Sequence, residues 1–256
     1  MHTAYNPSPL HRNRLGAIVQ MLSAGFPDPS QATVLEVGCG MGNICTPLAS
    51  LGYNVHGIDI HQGSVDAARS RTQLPNIHFD AVDLREVDLS KYDAVILSEV
   101  LEHVPEAEKM LSFLASNLKP GSLLILTVPN GWSLLEMACR PSYFLKRFDA
   151  GVRVVKAIKK ILGSKDLTTA DAQTPHVQFF RLSRLHRLFA ERGLEVGAFY
   201  SFFFAWPLWE IFFTERRSEK WAKRDFVFSK CLPASLHTVW CFGLFTASAK
   251  SPFRKE

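Results

Sequence analysis

The sequence predicts an α/β fold in which seven strands form a doubly wound sheet with helices on both faces. Three observations predict it. Short apolar runs bounded by turn residues alternate with helical or loop segments through the first half of the chain. The first of these runs stops at three alternately spaced glycines, Gly38, Gly40 and Gly42. Two further runs near the end bring the strand count to seven.

The elements follow in order. Pro9 to Leu22 reads as a helix, and TVLEV from Thr33 as a buried parallel strand. YNVHGID from Tyr53, NIHFDAVD from Asn76, YDAVILS from Tyr92 and SLLILTV from Ser122 repeat the pattern. Between Glu106 and Leu118, Met110, Leu111, Leu114 and Leu118 share one helical face, and Lys119-Pro120-Gly121 ends the helix. Beyond Pro129 the alternation lapses. Arg140 to Lys165 carries Phe144, Phe148, Val152, Val155, Ile158 and Leu162 at helical spacing with Lys and Arg between them, a cationic amphipathic helix or a pair of them. A polar loop from Gly163 to Thr174 leads to a helix from Ser183 to Gly193, with the serine as N-cap. LEVGAFYSFFF from Leu194 and TVWCFGLFTASA from Thr238 are the sixth and seventh strands.

A chain of 256 residues, 47% hydrophobic, buries a full core, and one domain is expected. Within it, 1–30 supplies an N-terminal helix, 31–130 the binding core, 131–180 a basic helical lid, and 181–256 the last helix and strands with an aromatic and basic insertion. Five cysteines without C-x-x-C spacing predict a reduced, intracellular chain without a structural zinc. The polar N-terminus lacks the apolar run of a secretory signal, and Pro207 and Glu210 interrupt the most apolar window, Val196 to Phe213. A cytoplasmic location is expected. Charge is divided unevenly. Residues 1–120 hold 8 Lys/Arg against 13 Asp/Glu, and residues 121–256 hold 21 against 11. A basic half suits nucleic acid, an anionic membrane surface or an acidic substrate, and charge alone does not choose among them.

The glycines lie where open α/β sheets bind ligands, and without Cβ atoms their backbone can approach one closely. G-x-G-x-G lacks the third glycine of the dinucleotide fingerprint, and no G-K-[ST] follows for a phosphate loop. Glu36, just ahead of the glycines, suits a ligand with an amino group, such as the methionine end of S-adenosyl-L-methionine. Asp59 at the second strand's end is placed to accept two ribose hydroxyls. Asp83 with Leu84 at the third strand's end is placed for an adenine, with Asp80 an equally short reach away.

VLEVGCGMGN, GIDI, the acidic turn near AVDL, YDAVILSEVLEHV and LKPGSLLILTVPN together resemble the class I S-adenosylmethionine-dependent methyltransferases, in that family's order and spacing, over Val34 to Asn130. PHVQFFRLSRLHRLFAERGLEV resembles its later region. SEVLEHV and Pro129-Asn130 look nearest to the ubiquinone-biosynthesis O-methyltransferase-like branch. The resemblance implies a mostly parallel seven-stranded sheet whose last strand is antiparallel, with helical lid insertions. It implies a cofactor site of Glu36, Gly38, Cys39, Gly40, Gly42, Asn43, Asp59, Ile60, Asp83, Leu84, Ser98 and Glu99.

Glu99, Glu102 and His103 form E-x-x-E-H, a set that could hold a divalent metal. The competing reading, preferred, turns Glu99 to the cofactor and uses His103 to anchor the loop. His103 and His176 are the two candidates for a base that takes a proton from a hydroxyl as the methyl group arrives.

After the fourth strand the chain has SEVL rather than the D/N-P-P-Y/F of nucleobase methyltransferases, which argues against a nucleic-acid acceptor. The expected acceptor is a small molecule, a lipid-linked compound or a glycan, methylated on oxygen. A nucleic-acid methyltransferase and a non-catalytic cofactor-binding protein are the alternatives. The basic and aromatic stretches, Arg140 to Lys165 and Trp206 to Lys230, fit a lid, either packed on the core or lying on an anionic membrane surface. No oligomeric state follows from the sequence.

Overall fold

The computed structural model describes residues 8–134, 136–137, 153, 176–205 and 215–246, the side chains of 215–218 excepted. Strands β1 (Thr33–Val37), β2 (Asn54–Asp59), β3 (Ile77–Ala81), β4 (Ala94–Ser98), β5 (Leu123–Pro129), β6 (Leu194–Phe202) and β7 (Val239–Thr246) form one sheet in the order β3-β2-β1-β4-β5-β7-β6. Neighbours from β3 to β5 pair in parallel, and β7 runs antiparallel to both β5 and β6. The seven strands and the antiparallel last strand are those expected from the sequence.

Alternation along the strands divides the core in two. Val34, Ile96, Leu123, Ile125, Cys241 and Phe245 point to one face and pack with α1 (Pro9–Gly25), α2 (Cys45–Ser50) and α3 (Gln62–Arg71). Leu35, Val95, Leu97, Leu124, Leu126 and Phe242 point to the other and pack with α4 (Ala107–Asn117) and α5 (Leu182–Ala190). A sixth described helix, α6 (Glu215–Ser229), joins the first face through Ala222. β6 carries a register shift between Val196 and Ala198, a bulge at Gly197.

α1 starts where local chemistry starts it. Ser8 accepts from the His11 amide, Pro9 occupies the first turn, and Ala17, Ile18, Met21 and Leu22 form the buried stripe. The N-cap of α5 lies two residues ahead of the serine expected from the sequence. The helix begins at Leu182 with Arg181 at the cap position and no capping side chain, so Ser183 lies inside the first turn. Packing of Leu182 on the second core draws the helix start back and overrides the serine. The expected N-cap serine is corrected accordingly. Gly193 does close that helix, at φ 62°.

The amphipathic segment Arg140 to Lys165, apart from Arg153, the loop Gly163 to Thr174, and Trp206 to Phe213 lie outside the described residues. Among the described residues no helix is long and apolar enough to cross a membrane.

The strand order reverses between β1 and β4, which opens a crevice at the carboxyl ends of the strands. β2 is held close against its surroundings there. A Cβ on Gly57 would lie 2.5 Å from Phe79 and 2.9 Å from Cys45 Sγ. Gly57→Ala is expected to destabilise the fold by about 1–3 kcal/mol, the usual cost of overpacking a filled core. Chemical denaturation would register this as a lower midpoint at unchanged slope.

Candidate functional site

All three loop glycines have positive φ, 69°, 51° and 76° at Gly38, Gly40 and Gly42, so the turn after β1 is closed to residues with a Cβ. A Cβ on Gly38 would strike Val100 at 2.7 Å, whereas one on Gly40 would meet nothing within 4 Å. Gly40 therefore marks the open side of the loop. The loop is tied to the end of β2 by two bonds: the Cys39 amide donates to the Ile58 carbonyl, and the Gly40 amide donates to Asp59 Oδ2 at 2.9 Å. Asp59 Oδ1 accepts from the His61 amide. Ile60, beside it, is 69% exposed, an apolar surface next to the one acid the sequence reading placed for a ribose. Asn43 lies on the loop's far limb, where its Oδ1 accepts from Arg71.

Glu36 faces into the first core at 3% exposure. Cys45 donates its thiol to Glu36 Oε2 at 2.7 Å. Burial pushes this carboxyl up from 4.5 to about 7, opposed by the Cys45 hydrogen bonds and by the charge of Arg14. Arg14 itself reaches from α1 to Glu99 Oε2 at 3.4 Å and donates to His11 Nδ1 at 3.3 Å. Burial, then the Arg14 charge, lowers His11 to about 4 and keeps it neutral.

At the end of β4, Glu99 adopts φ 57°, one of two non-glycine residues with positive φ among the described residues. Thr127 on β5 holds it there. The Glu99 amide donates to the Thr127 carbonyl, the Thr127 hydroxyl donates to Glu99 Oε1 at 3.1 Å, and Ser98 shares that hydroxyl at 3.0 Å. Strain of this kind collects at functional turns.

Asp83 and Leu84 are engaged locally. Asp83 caps a short 3-10 turn and pairs with Arg85, whose hydrogen bonds hold the carboxyl well below its ordinary value, and Leu84 is buried in the second core. They offer the cleft the position of their turn rather than an unengaged carboxylate. Asp80 pairs with His56 and Arg69.

Past β4 the chain turns through Leu101–His103, and this turn meets a segment far along the sequence. The amides of Val177 and Gln178 both donate to the Glu102 carbonyl, which brings His176 beside His103. The two rings meet edge to face, 4.9 Å between centroids. His103 Nε2 is 3.8 Å from Glu102 Oε1, and His176 Nδ1 is 3.4 Å from Glu136 Oε1. Glu102 and Glu136 are fully buried. Among the described residues neither carboxylate oxygen of Glu102 has a hydrogen-bond partner, and burial, reinforced by the charge of Glu99, drives its carboxyl well above the usual range.

The metal-type grouping is thus Glu102, His103 and His176, with one candidate ligand atom from each within 4.8 Å of the others. Glu99, part of the E-x-x-E-H set that the sequence offered as the less favoured metal reading, is not in it. Its carboxylate is turned toward Thr127 and Arg14.

The methyltransferase domain family matches this chain over residues 10–198, well over half its length. The chain belongs to that family. Among curated proteins it is similar to the ubiquinone biosynthesis O-methyltransferase of Rickettsia canadensis, 32% identical over 120 residues that make up 46% of this chain and 51% of that protein. Its counterpart in Rickettsia bellii is 33% identical over 46% of this chain and 50% of the relative. The chain spans about half the length of these relatives. Among solved structures, the magnesium protoporphyrin IX methyltransferase of Synechocystis PCC 6803 with bound SAH superposes at a TM-score of 0.56 with 19% identity, over 92% of this chain and 83% of that one. Phosphoethanolamine N-methyltransferase 2 of Haemonchus contortus, in complex with S-adenosyl-L-methionine, gives 0.54 with 15% identity over 89% and 51%. At these identities the likeness establishes the shared fold.

Within this methyltransferase domain, four residues that sequence reasoning did not single out contact the candidate site residues: His11, Arg14, Thr127 and Glu136. Arg14 and His11 occupy successive turns of an N-terminal helix whose spacing announces only an apolar stripe. Thr127 reads as one more residue of a buried strand. Glu136 follows the strand end without a motif.

Glu36 carries a pH signature. Because its folded value lies above its ordinary one, the wild-type chain without cofactor is expected to lose stability as pH rises from about 4.5 to about 7, and little beyond. Glu36→Gln retains an acceptor for Cys45 and removes the titration. Denaturation at pH 4 and pH 8 should find the variant equal to wild type at the lower pH and more stable by roughly 3 kcal/mol or less at the higher.

Proposed function

We propose that this methyltransferase moves the methyl group of S-adenosyl-L-methionine to a hydroxyl oxygen of a small-molecule, lipid-linked or glycan acceptor. The observation that carries the reading is the edge-to-face pair His103 and His176, backed by buried Glu102 and Glu136 at the end of β4. It lies one turn from the strained Glu99 that closes the glycine-loop side of the crevice.

The glycine loop admits the cofactor's backbone-like methionine end, with Glu36 and Arg14 offering opposite charges to its ammonium and carboxylate. Asp59 and Ile60 receive the ribose and the adenine side. Gly40 exchanges its bond to Asp59 as the ribose arrives. The acceptor oxygen attacks the methyl carbon in line, and S-adenosylhomocysteine leaves. The sulfonium already activates the methyl group, so the protein contributes alignment and proton removal. His103, with a quarter of its side chain exposed, is the proton acceptor, and the more enclosed His176 holds it in place against Glu136. Glu102, His103 and His176 would hold a divalent cation if one binds, and it would polarise the acceptor hydroxyl.

The basic and aromatic surface supports an interfacial acceptor. On α6, Trp221, Val227 and Phe228 are exposed among Lys220, Lys223 and Arg224. We place the protein in the cytoplasm, docking on anionic membrane surfaces. Co-sedimentation with anionic vesicles at low salt and none with neutral vesicles is the expected result. Equal recovery with both removes the membrane part of the proposal.

Transfer of labelled methyl to pools of lipid extract, glycan and RNA tests the acceptor class. Label is expected in the lipid or small-molecule hydroxyl fraction, and label confined to RNA would overturn the reading. His103→Ala should lower kcat by about 100-fold or more while the cofactor Kd stays within error. Parallel loss of both would make His103 a scaffold residue. Cofactor binding should also release a proton near pH 6, seen calorimetrically in buffers of different ionisation enthalpy, because an ammonium beside Glu36 drives its raised carboxyl to the anion.

A further inference from the structure

A second set of metal-type side chains lies apart from the methyl-transfer crevice, on β2 and the edge strand β3. His56 stands opposite His78 in the parallel register, and Asp80, two residues beyond His78, projects from the same face. The two imidazoles stack with centroids 3.9 Å apart. His56 Nε2 lies 3.0 Å from Asp80 Oδ2, and its Nδ1 meets the Tyr92 hydroxyl. One candidate ligand atom from each of His56, His78 and Asp80 lies within 4.8 Å of the other two.

We propose that His56, His78 and Asp80 form a binding site for a late first-row divalent cation, with Zn²⁺ the ion that two imidazoles and one carboxylate suit best. A strand pair at i and i+2 with a cross-strand neighbour converges three donors on one point without any loop rearrangement. Tyr92 supplies what a metal-bound histidine needs on its other nitrogen, a hydrogen bond that fixes the ring and directs Nε2 toward Asp80. Arg69 occupies Asp80 Oδ1 and leaves Oδ2 on the histidine side. His78 is exposed and Asp80 half-exposed, which gives the ion an entry path and room for water as the fourth ligand. A bound ion would staple β3, an edge strand, to β2 just ahead of the turn that carries Asp83.

The test uses the full chain, stripped with a chelator and titrated with Co²⁺ as a coloured stand-in, then with Zn²⁺ in competition. One equivalent is expected to bind with the visible bands of a four-coordinate nitrogen and oxygen site, and Zn²⁺ should displace it and raise Tm. His78→Ala and Asp80→Asn should each weaken binding by about tenfold or more. His78 reaches solvent and lies outside the candidate cofactor site, so His78→Ala should keep the fold and the cofactor affinity. His103→Ala should bind the cation like wild type. Absence of the bands at stoichiometric cation overturns the proposal. So does binding that survives in His78→Ala and disappears in His103→Ala, which assigns the ion to the crevice instead.

Discussion

A carboxyl buried in an interior strand is the constraint around which this structure is arranged. Glu36 sits on β1 with neighbours on both sides, and water cannot solvate it there. A buried acid with no compensation stays protonated and costs stability. The surrounding residues reduce that cost only in part: Cys45 donates its thiol, and Arg14 lends a nearby positive charge. What remains is a carboxyl whose ionisation is held back by burial, and under the proposed function a ligand ammonium would offset it.

A second buried acid repeats the logic at a different place. Glu102 has no hydrogen-bond partner for either oxygen among the described residues, yet its backbone carbonyl is where Val177 and Gln178 dock. The same residue therefore anchors a distant segment with its main chain and presents a raised carboxyl with its side chain. Two histidines between two enclosed glutamates contrast with the surroundings of Glu36, where the carboxyl is bonded to Cys45 and Arg14 is paired with Glu99. The proposed division of labour, cofactor on one side and proton removal on the other, rests on the separation of these two electrostatic environments.

Much of the fold was legible because it follows from local rules. The alternation of TVLEV and YDAVILS, buried on both faces, reads directly as parallel strands, and the glycine spacing after Val37 reads as a turn that only glycine can make. The cap of α5 was not legible. Ser183 is the better capping residue, and only the packing of Leu182 moves the start. The site was legible where each residue stands at a strand end, as Glu36, Asp59 and Glu99 do. It was illegible where a side chain reaches across from another element, as Arg14 does, or where the partner lies on a neighbouring strand, as His78 does for His56.

The amino-acid order alone determined the strands, the glycine turn and the acids at the strand ends, because strand period and backbone sterics are properties of a few adjacent residues. The tertiary structure decided which side chains meet. Whether Glu99 or His176 joins Glu102 and His103 depends on the Thr127 hydroxyl holding one away and on two amides docking the other. Such contacts come from how the sheet packs its helices and loops at the carboxyl edge, and no spacing along the chain encodes them.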